Sequence, residues 1–303
     1  MASLTPLEPG FAARIEGVDA ACASDGDIAF VRKALIDHCV LVLPGQVIDG
    51  DQQADFAARF GTLDAYENMS GDYARGMRKD LLNVSNLGDD GKPVGPGDRR
   101  RELDMGNRFW HTDASFKPVP AHLSMLYGIT VTNQGGETQF ADMRAAWDSL
   151  DADRKELVEG LIAEHSSTTA RRWLGFEDFD ESNPAVMGRV NHDLVRELPE
   201  TGRKTLYLSA HADHIVGMPV PGGRLLLAEL TEHATRPDNV FTHTWQASDL
   251  VIWDNRCTMH RSRPYRADRE TRQLRRASTV APEFAACDAV GVQVPDWKIE
   301  AAA

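Results

Sequence analysis

The pattern of apolar and polar residues near the start of the chain predicts a helix that leads into a buried strand. Residues 27–38 carry apolar side chains at helical spacing, as expected for a helix with one buried face. The β-branched, apolar run at residues 39–43 follows at once and ends at a Pro-Gly pair, which is typical of a buried strand. A second amphipathic helix is predicted over residues 51–60, with Asp49 or Asp51 as its N-cap.

Further along the chain, short apolar segments alternate with turn residues and with a few amphipathic stretches. A segment rich in glycine, proline and charge at residues 89–101 predicts a loop. Strands are predicted over residues 81–85, 121–132, 138–140, 205–208, 242–245, 250–253 and 274–280, and helices over residues 143–149, 152–163 (capped by Asp151) and 222–234.

This order of elements predicts a mainly β fold of the α+β class. Short strands dominate, while the helices lie at the start of the chain and in a central insertion, which favours a double-stranded β-helix (jelly-roll) core with N-terminal and inserted helices. A doubly wound α/β sheet fits less well, because the chain lacks a regular strand–helix alternation and a glycine-rich phosphate loop. We expect residues 1–303 to form one domain.

Composition narrows the classes of function. The chain has 33 basic and 46 acidic residues, a formal net charge of −13, which argues against a nucleic-acid or anionic-membrane binder. No apolar run approaches the roughly 20 residues that span a bilayer, and the first residues lack the features of a secretory signal. The four cysteines are scattered without a CxxC pair. We therefore expect a cytoplasmic protein with reduced thiols.

The spacing of His111 and Asp113, with His260 far downstream, indicates a metal site. Two histidines and one carboxylate form the facial triad that binds Fe(II) and leaves other positions open. If residues 111–113 form a strand, side chains i and i+2 point to the same face and reach one ion. A lone His-x-Asp recurs by chance, but Trp110 and residues 114–116 extend the pattern. Four other histidines are expected on helix or strand surfaces: His38, His165, His233 and His243.

Two arginines near the end of the chain are candidates for binding acids. Arg272 and Arg276 are four residues apart, so on a strand they share one face, and the planar guanidinium binds carboxylates through paired hydrogen bonds. The alternative from spacing alone is a solvated basic edge, because the same stretch holds Arg263, Arg266 and Arg269.

Motifs along nearly the whole chain resemble one family. The chain is similar to the taurine dioxygenase / 2,4-dichlorophenoxyacetate dioxygenase family of Fe(II)- and 2-oxoglutarate-dependent oxygenases, and more to its phenoxyacetate branch. The motifs that carry the resemblance include RIEGVD at residues 14–19, VLVLPGQ at 40–46, WHTDASF at 110–116, GGETQF at 135–140, SAHADH at 209–214, WDNRC at 253–257 and RAST at 276–279.

The resemblance implies a set of cofactors and the residues that bind the metal. Transferred position by position, it makes His111, Asp113 and His260 the Fe(II) ligands and the catalytic centre. It implies 2-oxoglutarate as cosubstrate and dioxygen as the oxidant, and ascorbate is expected as an activator.

The resemblance also implies how the two acids are held. Arg272 is expected to bind the distal carboxylate of 2-oxoglutarate with the assistance of Thr138, and Asn107 and Trp253 are expected to line the same pocket. Arg276 is expected to bind the acidic group of the substrate.

Three further expectations concern the pocket. The chain carries one residue more between the last iron ligand and Arg272 than the family pattern, but the intact R-x-x-x-R-A pattern favours Arg272 over Arg269. His214 is predicted to point into the substrate pocket, with a purely structural role as the alternative, and the structural role is preferred for His211. Residues 65–79 are predicted to form a loop over the pocket mouth, with an ordinary surface loop as the alternative.

The activity implied by the resemblance is hydroxylation of a small acid. For an aryloxyalkanoate such as 2,4-dichlorophenoxyacetate, hydroxylation beside the ether oxygen yields a phenol and a 2-oxo acid, together with succinate and carbon dioxide. Taurine or another alkylsulfonate is the alternative substrate within the family. Two other classes remain: a non-catalytic jelly-roll protein that binds a metal or an acid, and a zinc hydrolase. The expected partners are a small carboxylate or sulfonate and other copies of the chain, without nucleic acid or membrane.

Overall fold

A computed structural model describes residues 1–7, 9–65, 78–179 and 182–302. Its strands in chain order are β1 (Ser3–Leu7), β2 (Ala12–Glu16), β3 (Val40–Leu43), β4 (Leu81–Ser85), β5 (Ala121–Thr130), β6 (Thr138–Asp142), β7 (Ile162–Ser166), β8 (Arg189–Asp193), β9 (Val195–Glu197), β10 (Lys204–Leu206), β11 (Ala212–Ile215), β12 (Val240–His243), β13 (Leu250–Asp254), β14 (Thr258–Ser262) and β15 (Gln273–Val280). Its α-helices are α1 (Asp25–His38), α2 (Gly50–Ala58), α3 (Arg99–Asp104), α4 (Met143–Asp148), α5 (Ala152–Val158), α6 (Thr169–Trp173), α7 (Pro184–Met187), α8 (Val220–Ala234) and α9 (Asp296–Ala301).

Two sheets packed face to face form the jelly-roll core. The larger has seven strands in the order β1-β2-β3-β13-β5-β15-β4, and the smaller has three in the order β12-β6-β14. Neighbouring strands in both are antiparallel except β2 and β3. Large apolar side chains from both sheets fill the space between them: Phe140, Phe241, Trp253 and Leu274. The predicted jelly-roll fold is confirmed.

Strand β3 explains why residues 40–43 are apolar without alternation. Successive side chains of a strand point to opposite faces. Val40 and Val42 face the core between the sheets, while Leu41 and Leu43 pack with α1 and α2 on the outer face. Because both faces of β3 are covered, polar residues are excluded from it.

The first two helices begin where their capping residues predict. Ser24 caps α1 in a capping box with Asp27, and Asp49, one of the two predicted candidates, caps α2 in a capping box with Gln52. Both helices bury their apolar faces against the outer face of the large sheet, as their spacing indicates.

The prediction of one helix over residues 152–163 is wrong in its second half. Helix α5 starts after its predicted cap, Asp151, but it ends at Val158. Gly160 then adopts a left-handed backbone (φ 74°), which ends the helix and lets the chain continue into β7.

Two expectations concern the surface. Residues 66–77, most of the predicted loop over the pocket mouth (65–79), lie outside the described residues. Among the helices of the described ranges, none combines the length and the apolar character needed to cross a bilayer.

Candidate metal centre and active site

Two backbone hydrogen bonds place His111 beside His260. The His111 N–H donates to the carbonyl oxygen of His260 (3.0 Å), and the His260 N–H donates to that of His111 (2.8 Å). The imidazole centroids lie 4.2 Å apart. His260 is on β14, whereas Asp113 lies in the turn after His111, where Ala114 has a left-handed backbone (φ 54°). Residues 111–113 therefore do not form a regular strand, although the carboxylate still faces the imidazoles.

The three side chains converge and are buried. The Nε2 atom of His111 lies 4.0 Å from Asp113 Oδ1, and that of His260 lies 3.8 Å from Asp113 Oδ2. One ligand atom from each of the three lies within 4.8 Å of the other two. This spacing allows one metal ion to bind all three.

Hydrogen bonding and burial prepare the histidines for a metal. His111 Nδ1 lies 2.9 Å from the carbonyl oxygen of Phe109. Because a carbonyl only accepts, Nδ1 carries the proton and Nε2 presents its lone pair to the site. Burial lowers the pKa of His111, and burial together with the charge of His111 lowers the pKa of His260 well below its usual value. Both rings are therefore neutral near pH 7, as metal binding requires.

Asp113 is held in its ionised form. Burial acts to raise its pKa, but the charges of Arg276, His260 and His111 outweigh burial and hold the pKa below its usual range. The hydroxyl of Ser124 also donates to Asp113 Oδ2 (2.8 Å). The carboxylate can therefore bind a cation without first losing a proton.

Asn255 connects the metal-facing residues, a role that the sequence did not reveal. Its Oδ1 accepts from the Asp113 backbone N–H (3.2 Å) and from Trp253 Nε1 (3.1 Å), and its Nδ2 donates to Ser124 Oγ (2.9 Å). Available signals were the position of Asn255 inside the WDNRC motif and the polar Ser124 in the apolar strand β5, where it is fully buried.

Trp253 packs against the second histidine. Its ring centroid lies 4.7 Å from that of His260 and 5.4 Å from that of Phe140. Trp253 is fully buried between the sheets. These contacts fix the orientation of the His260 ring and exclude water from one side of it.

The guanidinium of Arg272 is buried and could bind an anion. Within the described ranges its side chain forms no ion pair and no hydrogen bond, and the nearest ring, that of Tyr265, is centred 5.9 Å from Cζ. Its backbone N–H donates to Asn86 Oδ1 (2.9 Å), which anchors the position. An unpaired buried charge is costly, so a bound anion would stabilise the site. Arg269, the alternative, is exposed and lies beside Asp268.

The Gly-Gly turn lies against Arg272. Gly136 has a left-handed backbone (φ 73°), and a Cβ there would lie 2.8 Å from Thr132 Oγ1 and 3.4 Å from Arg272 Nε. Only glycine permits this approach. The turn leads to Thr138, whose hydroxyl oxygen accepts from Trp245 Nε1 (3.0 Å). The hydroxyl hydrogen of Thr138 therefore remains to donate to another acceptor.

An acidic residue that the sequence did not single out lies in the same region. Asp104 is half-buried. Its burial raises its pKa to about 6, although the positive charges of Arg272 and Arg108 act to lower it. Asn107 Nδ2 donates to Asp104 Oδ1 (3.4 Å). The predicted Asn107 thus lies in the surroundings of Arg272, next to a carboxyl group that titrates near neutral pH.

Arg276 reaches the metal-facing carboxylate directly. Its Nη1 donates to Asp113 Oδ1 (2.5 Å). The neighbouring Arg275 points to the opposite face of β15, where it donates to Gln53 Oε1 (2.7 Å). Strand alternation therefore directs Arg276, but not Arg275, to the candidate metal site.

The histidine that contacts the metal-facing pair is His211. Its ring packs edge-on against His111 (6.4 Å) and Phe116 (4.8 Å). His214, the predicted pocket residue, instead has Asp213 (3.3 Å) and Glu164 (3.9 Å) as its charged neighbours. The structure therefore brings His211, rather than His214, to the candidate site.

Two of the histidines expected on surfaces are buried. His165 is fully buried against His192 and Tyr207, and His243 is buried beside Asp249 (3.2 Å). The expectation of surface positions is wrong for these two.

A jelly-roll fold in which two histidines and a carboxylate converge on one point is typical of non-haem iron oxygenases. The chain belongs to the taurine catabolism dioxygenase TauD, TfdA family, whose model matches residues 3–278. It is 41% identical over 277 residues to an alpha-ketoglutarate-dependent 2,4-dichlorophenoxyacetate dioxygenase of Cupriavidus pinatubonensis, covering 91% of this chain and 96% of the relative.

Two further proteins show the same likeness. An (S)-phenoxypropionate/alpha-ketoglutarate-dioxygenase of Sphingobium herbicidovorans is 33% identical over 271 residues, covering 86% of this chain and 89% of the relative. The crystal structure of AAD-2 in complex with Mn(II) and N-oxalylglycine superposes with a TM-score of 0.87 at 40% identity, covering 95% of this chain and 100% of that chain.

Proposed function

We propose that the chain is an Fe(II)- and 2-oxoglutarate-dependent dioxygenase that hydroxylates an aryloxyalkanoate such as 2,4-dichlorophenoxyacetate. The observation that carries this proposal is the buried Arg272 guanidinium, which forms no ion pair or hydrogen bond within the described part of the chain. A zinc hydrolase or a simple metal-binding protein has no need for such a group. The named activities of the relatives support the same cosubstrate and substrate class.

We propose His111, Asp113 and His260 as the iron ligands. Two neutral imidazole nitrogens and one ionised carboxylate are the donor set that suits Fe(II), and three ligands leave coordination positions open. When bound, Fe(II) would supply the activation of dioxygen for hydroxylation. Dioxygen would be the oxidant, and ascorbate is proposed as an activator.

The pocket residues would bind 2-oxoglutarate through its two ends. Arg272 would hold the distal carboxylate through paired hydrogen bonds. Thr138 would donate its free hydroxyl hydrogen to the same group, since its oxygen already accepts from Trp245. Asn107 would line this region, while Trp253 would keep the His260 side of the pocket dry.

Arg276 would bind the carboxylate of the substrate. Because its guanidinium already contacts Asp113, an acid held by it lies next to the candidate metal. The carbon between the carboxylate and the ether oxygen is then the nearest C–H position. Its hydroxylation yields an unstable hemiacetal that collapses to a phenol and a 2-oxo acid, while 2-oxoglutarate becomes succinate and carbon dioxide.

His211 and Phe116, which contact each other, are proposed to form a wall of the substrate pocket beside this carbon. His214 is a more distant candidate for binding the substrate.

Replacing Arg276 with methionine should lower kcat/KM for 2,4-dichlorophenoxyacetate about 10- to 100-fold. A charge-assisted hydrogen bond contributes about 1.5–3 kcal/mol, and each 1.4 kcal/mol is a factor of about ten. The KM for 2-oxoglutarate should change little. Steady-state succinate assays measure both constants, with Arg266→Met, which alters an exposed arginine, as the matched control. A loss that falls wholly on 2-oxoglutarate would contradict the assigned role.

Replacing Asp104 with asparagine should strengthen binding of 2-oxoglutarate above pH 6. The pKa of Asp104 is about 6, so the group is neutral below that pH and negative above it. The negative form competes for Arg272 and repels the cosubstrate, which we expect to weaken affinity by about threefold to tenfold between pH 5.5 and 7.5. Anaerobic calorimetric titrations should show this slope in the unaltered chain and a flatter one in Asp104→Asn. The neighbouring Glu102→Gln should keep the slope, and a slope retained in Asp104→Asn would refute the assignment.

The test of the whole proposal is succinate release with Fe(II), 2-oxoglutarate and ascorbate in the presence of candidate acids. Aryloxyalkanoates should stimulate succinate formation and yield a phenol, and aliphatic sulfonates should not. Stimulation only by sulfonates would favour the taurine alternative. Turnover that continues without dioxygen would show a hydrolase, and no reaction with any acid would leave a binding protein.

We further propose that the chain is a single-domain cytoplasmic protein that forms a homo-oligomer and binds neither nucleic acid nor membranes. The formal charge of −13 supports the exclusion of polyanionic partners. Light scattering coupled to gel filtration measures the oligomeric state, and a monomer would overturn that part of the proposal.

A further inference from the structure

Two buried thiols that the proposed reaction does not use face each other in the interior of the protein. The sulfur atoms of Cys39 and Cys257 lie 2.9 Å apart, although 218 positions separate the residues in sequence. Each side chain is 1% exposed. A disulfide has a sulfur–sulfur distance of about 2.05 Å, so a small rotation would bring these atoms to bonding distance.

The backbone at Cys39 is in a conformation that side chains other than glycine rarely adopt. Its φ is 52° and its ψ is −31°, at the point where α1 ends and β3 begins. A non-glycine residue there costs free energy. The position is also fixed, because the carbonyl oxygen of Cys39 accepts from the Asp254 N–H (2.9 Å). The left-handed backbone thus holds the Cys39 thiol against its partner.

Cys257 is fixed in the same way from the other side. Its carbonyl oxygen accepts from the Met143 N–H (3.0 Å). Arg144, which is 3% exposed and is paired with Asp142 (3.0 Å), is a positive charge that acts on both thiols and opposes the rise in the pKa of Cys257 that burial causes. Burial outweighs this charge, so the pKa of Cys257 stays well above its usual value.

A small cleft gives access to the pair. It has a volume of only about 10 Å³, room for about one water-sized molecule, and is lined by both cysteines and, towards the surface, by Glu200 and Thr201. Thr201 is exposed. Only a molecule close to water in size, such as hydrogen peroxide, can approach the thiols through it, and a peptide disulfide cannot.

We propose that Cys39 and Cys257 are a redox modification site that closes to a disulfide with hydrogen peroxide as the oxidant. The Cys39 thiolate attacks one peroxide oxygen, the O–O bond breaks, and the released hydroxide takes a proton to become water. The Cys257 sulfur then attacks the resulting sulfenic acid, and a second water leaves. Two thiols thus lose two electrons and two protons, and one peroxide is reduced to two waters.

The disulfide would brace the turn that supports the metal-facing residues. Cys257 lies between β13 and β14, two residues after Asn255 and three before His260. Linking it to the end of α1 joins that turn to a distant part of the chain. Closing so long a loop restricts the unfolded chain, so we expect the unfolding temperature to rise by several degrees, reversibly with dithiothreitol.

The test uses the full chain carrying Cys22→Ser and Cys287→Ser, which leaves only the proposed pair. The protein is kept in a chelator, so that no metal redirects the peroxide, and is treated with hydrogen peroxide, unfolded and alkylated. Both thiols should disappear, the intact mass should fall by two hydrogen atoms, and peptide mapping should link residues 39 and 257.

A second variant separates the disulfide from general oxidation. Cys39→Gly in the same background suits the left-handed backbone and should fold. It should form no intramolecular link and show no rise in unfolding temperature on oxidation. Two alkylatable thiols after treatment of the parent would overturn the proposal, as would oxygen addition without a link, or an equal thermal rise in Cys39→Gly.

Discussion

Replacing His260 with alanine should remove metal binding and reduce 2-oxoglutarate-dependent turnover by at least about 1,000-fold. The reaction depends on the metal, whose contribution of several kcal/mol corresponds to three or more factors of ten. The pair of hydrogen bonds to the His111 backbone and the contact with Trp253 hold His260 in the position from which its imidazole faces the metal site. Calorimetric titration with Mn(II) and succinate assays with Fe(II) measure the two losses.

The fold should survive this substitution, which keeps the result interpretable. The backbone hydrogen bonds between residues 111 and 260 do not involve the imidazole, so β14 retains its pairing. His38→Ala, at a half-buried position at the end of α1, is the matched control and should keep both metal binding and activity. Full Mn(II) affinity in His260→Ala would refute the assigned ligand set.

The sequence predicted those strands and helices whose burial or capping is visible in a short run of residues. Residues 40–43 are apolar because both faces of β3 are covered, and the capping residues of α1 and α2 mark the helix starts. It failed where one backbone conformation decides the outcome. Gly160 ends α5 and starts a path into β7, and no periodicity separates that outcome from a longer helix.

The candidate site shows the same division. The motifs around His111, Asp113 and His260 predicted that these residues converge, and they do so although residues 111–113 are not a regular strand. The choice between His211 and His214 was not accessible from spacing, because the pairing of β11 with β7 shifts register between residues 212 and 214. A shift of one residue reverses which side chains face inward.

Asn255 and Asp104 were missed for a different reason. Each acts through contacts between residues far apart in sequence: Asn255 with Asp113, and Asp104 with Arg272. Neither partner can be paired from one sequence. The network around Asn255 explains how the metal-facing carboxylate is held in position although it lies in a turn.

Replacing Arg272 with methionine should raise the Kd for 2-oxoglutarate at least about 100-fold, since a bidentate guanidinium–carboxylate contact contributes about 3 kcal/mol or more. The same substitution should leave the unfolding temperature of the cosubstrate-free protein unchanged or raised, because it removes a buried charge that has no described partner. Arg269→Met, three residues earlier and exposed, should change neither quantity. The combination distinguishes a binding arginine from a structural one, because a structural arginine would lose stability as well as affinity. Anaerobic calorimetry and thermal denaturation measure the two effects, and a marked loss of stability in Arg272→Met would mean that the guanidinium has a partner within the protein rather than in the cosubstrate.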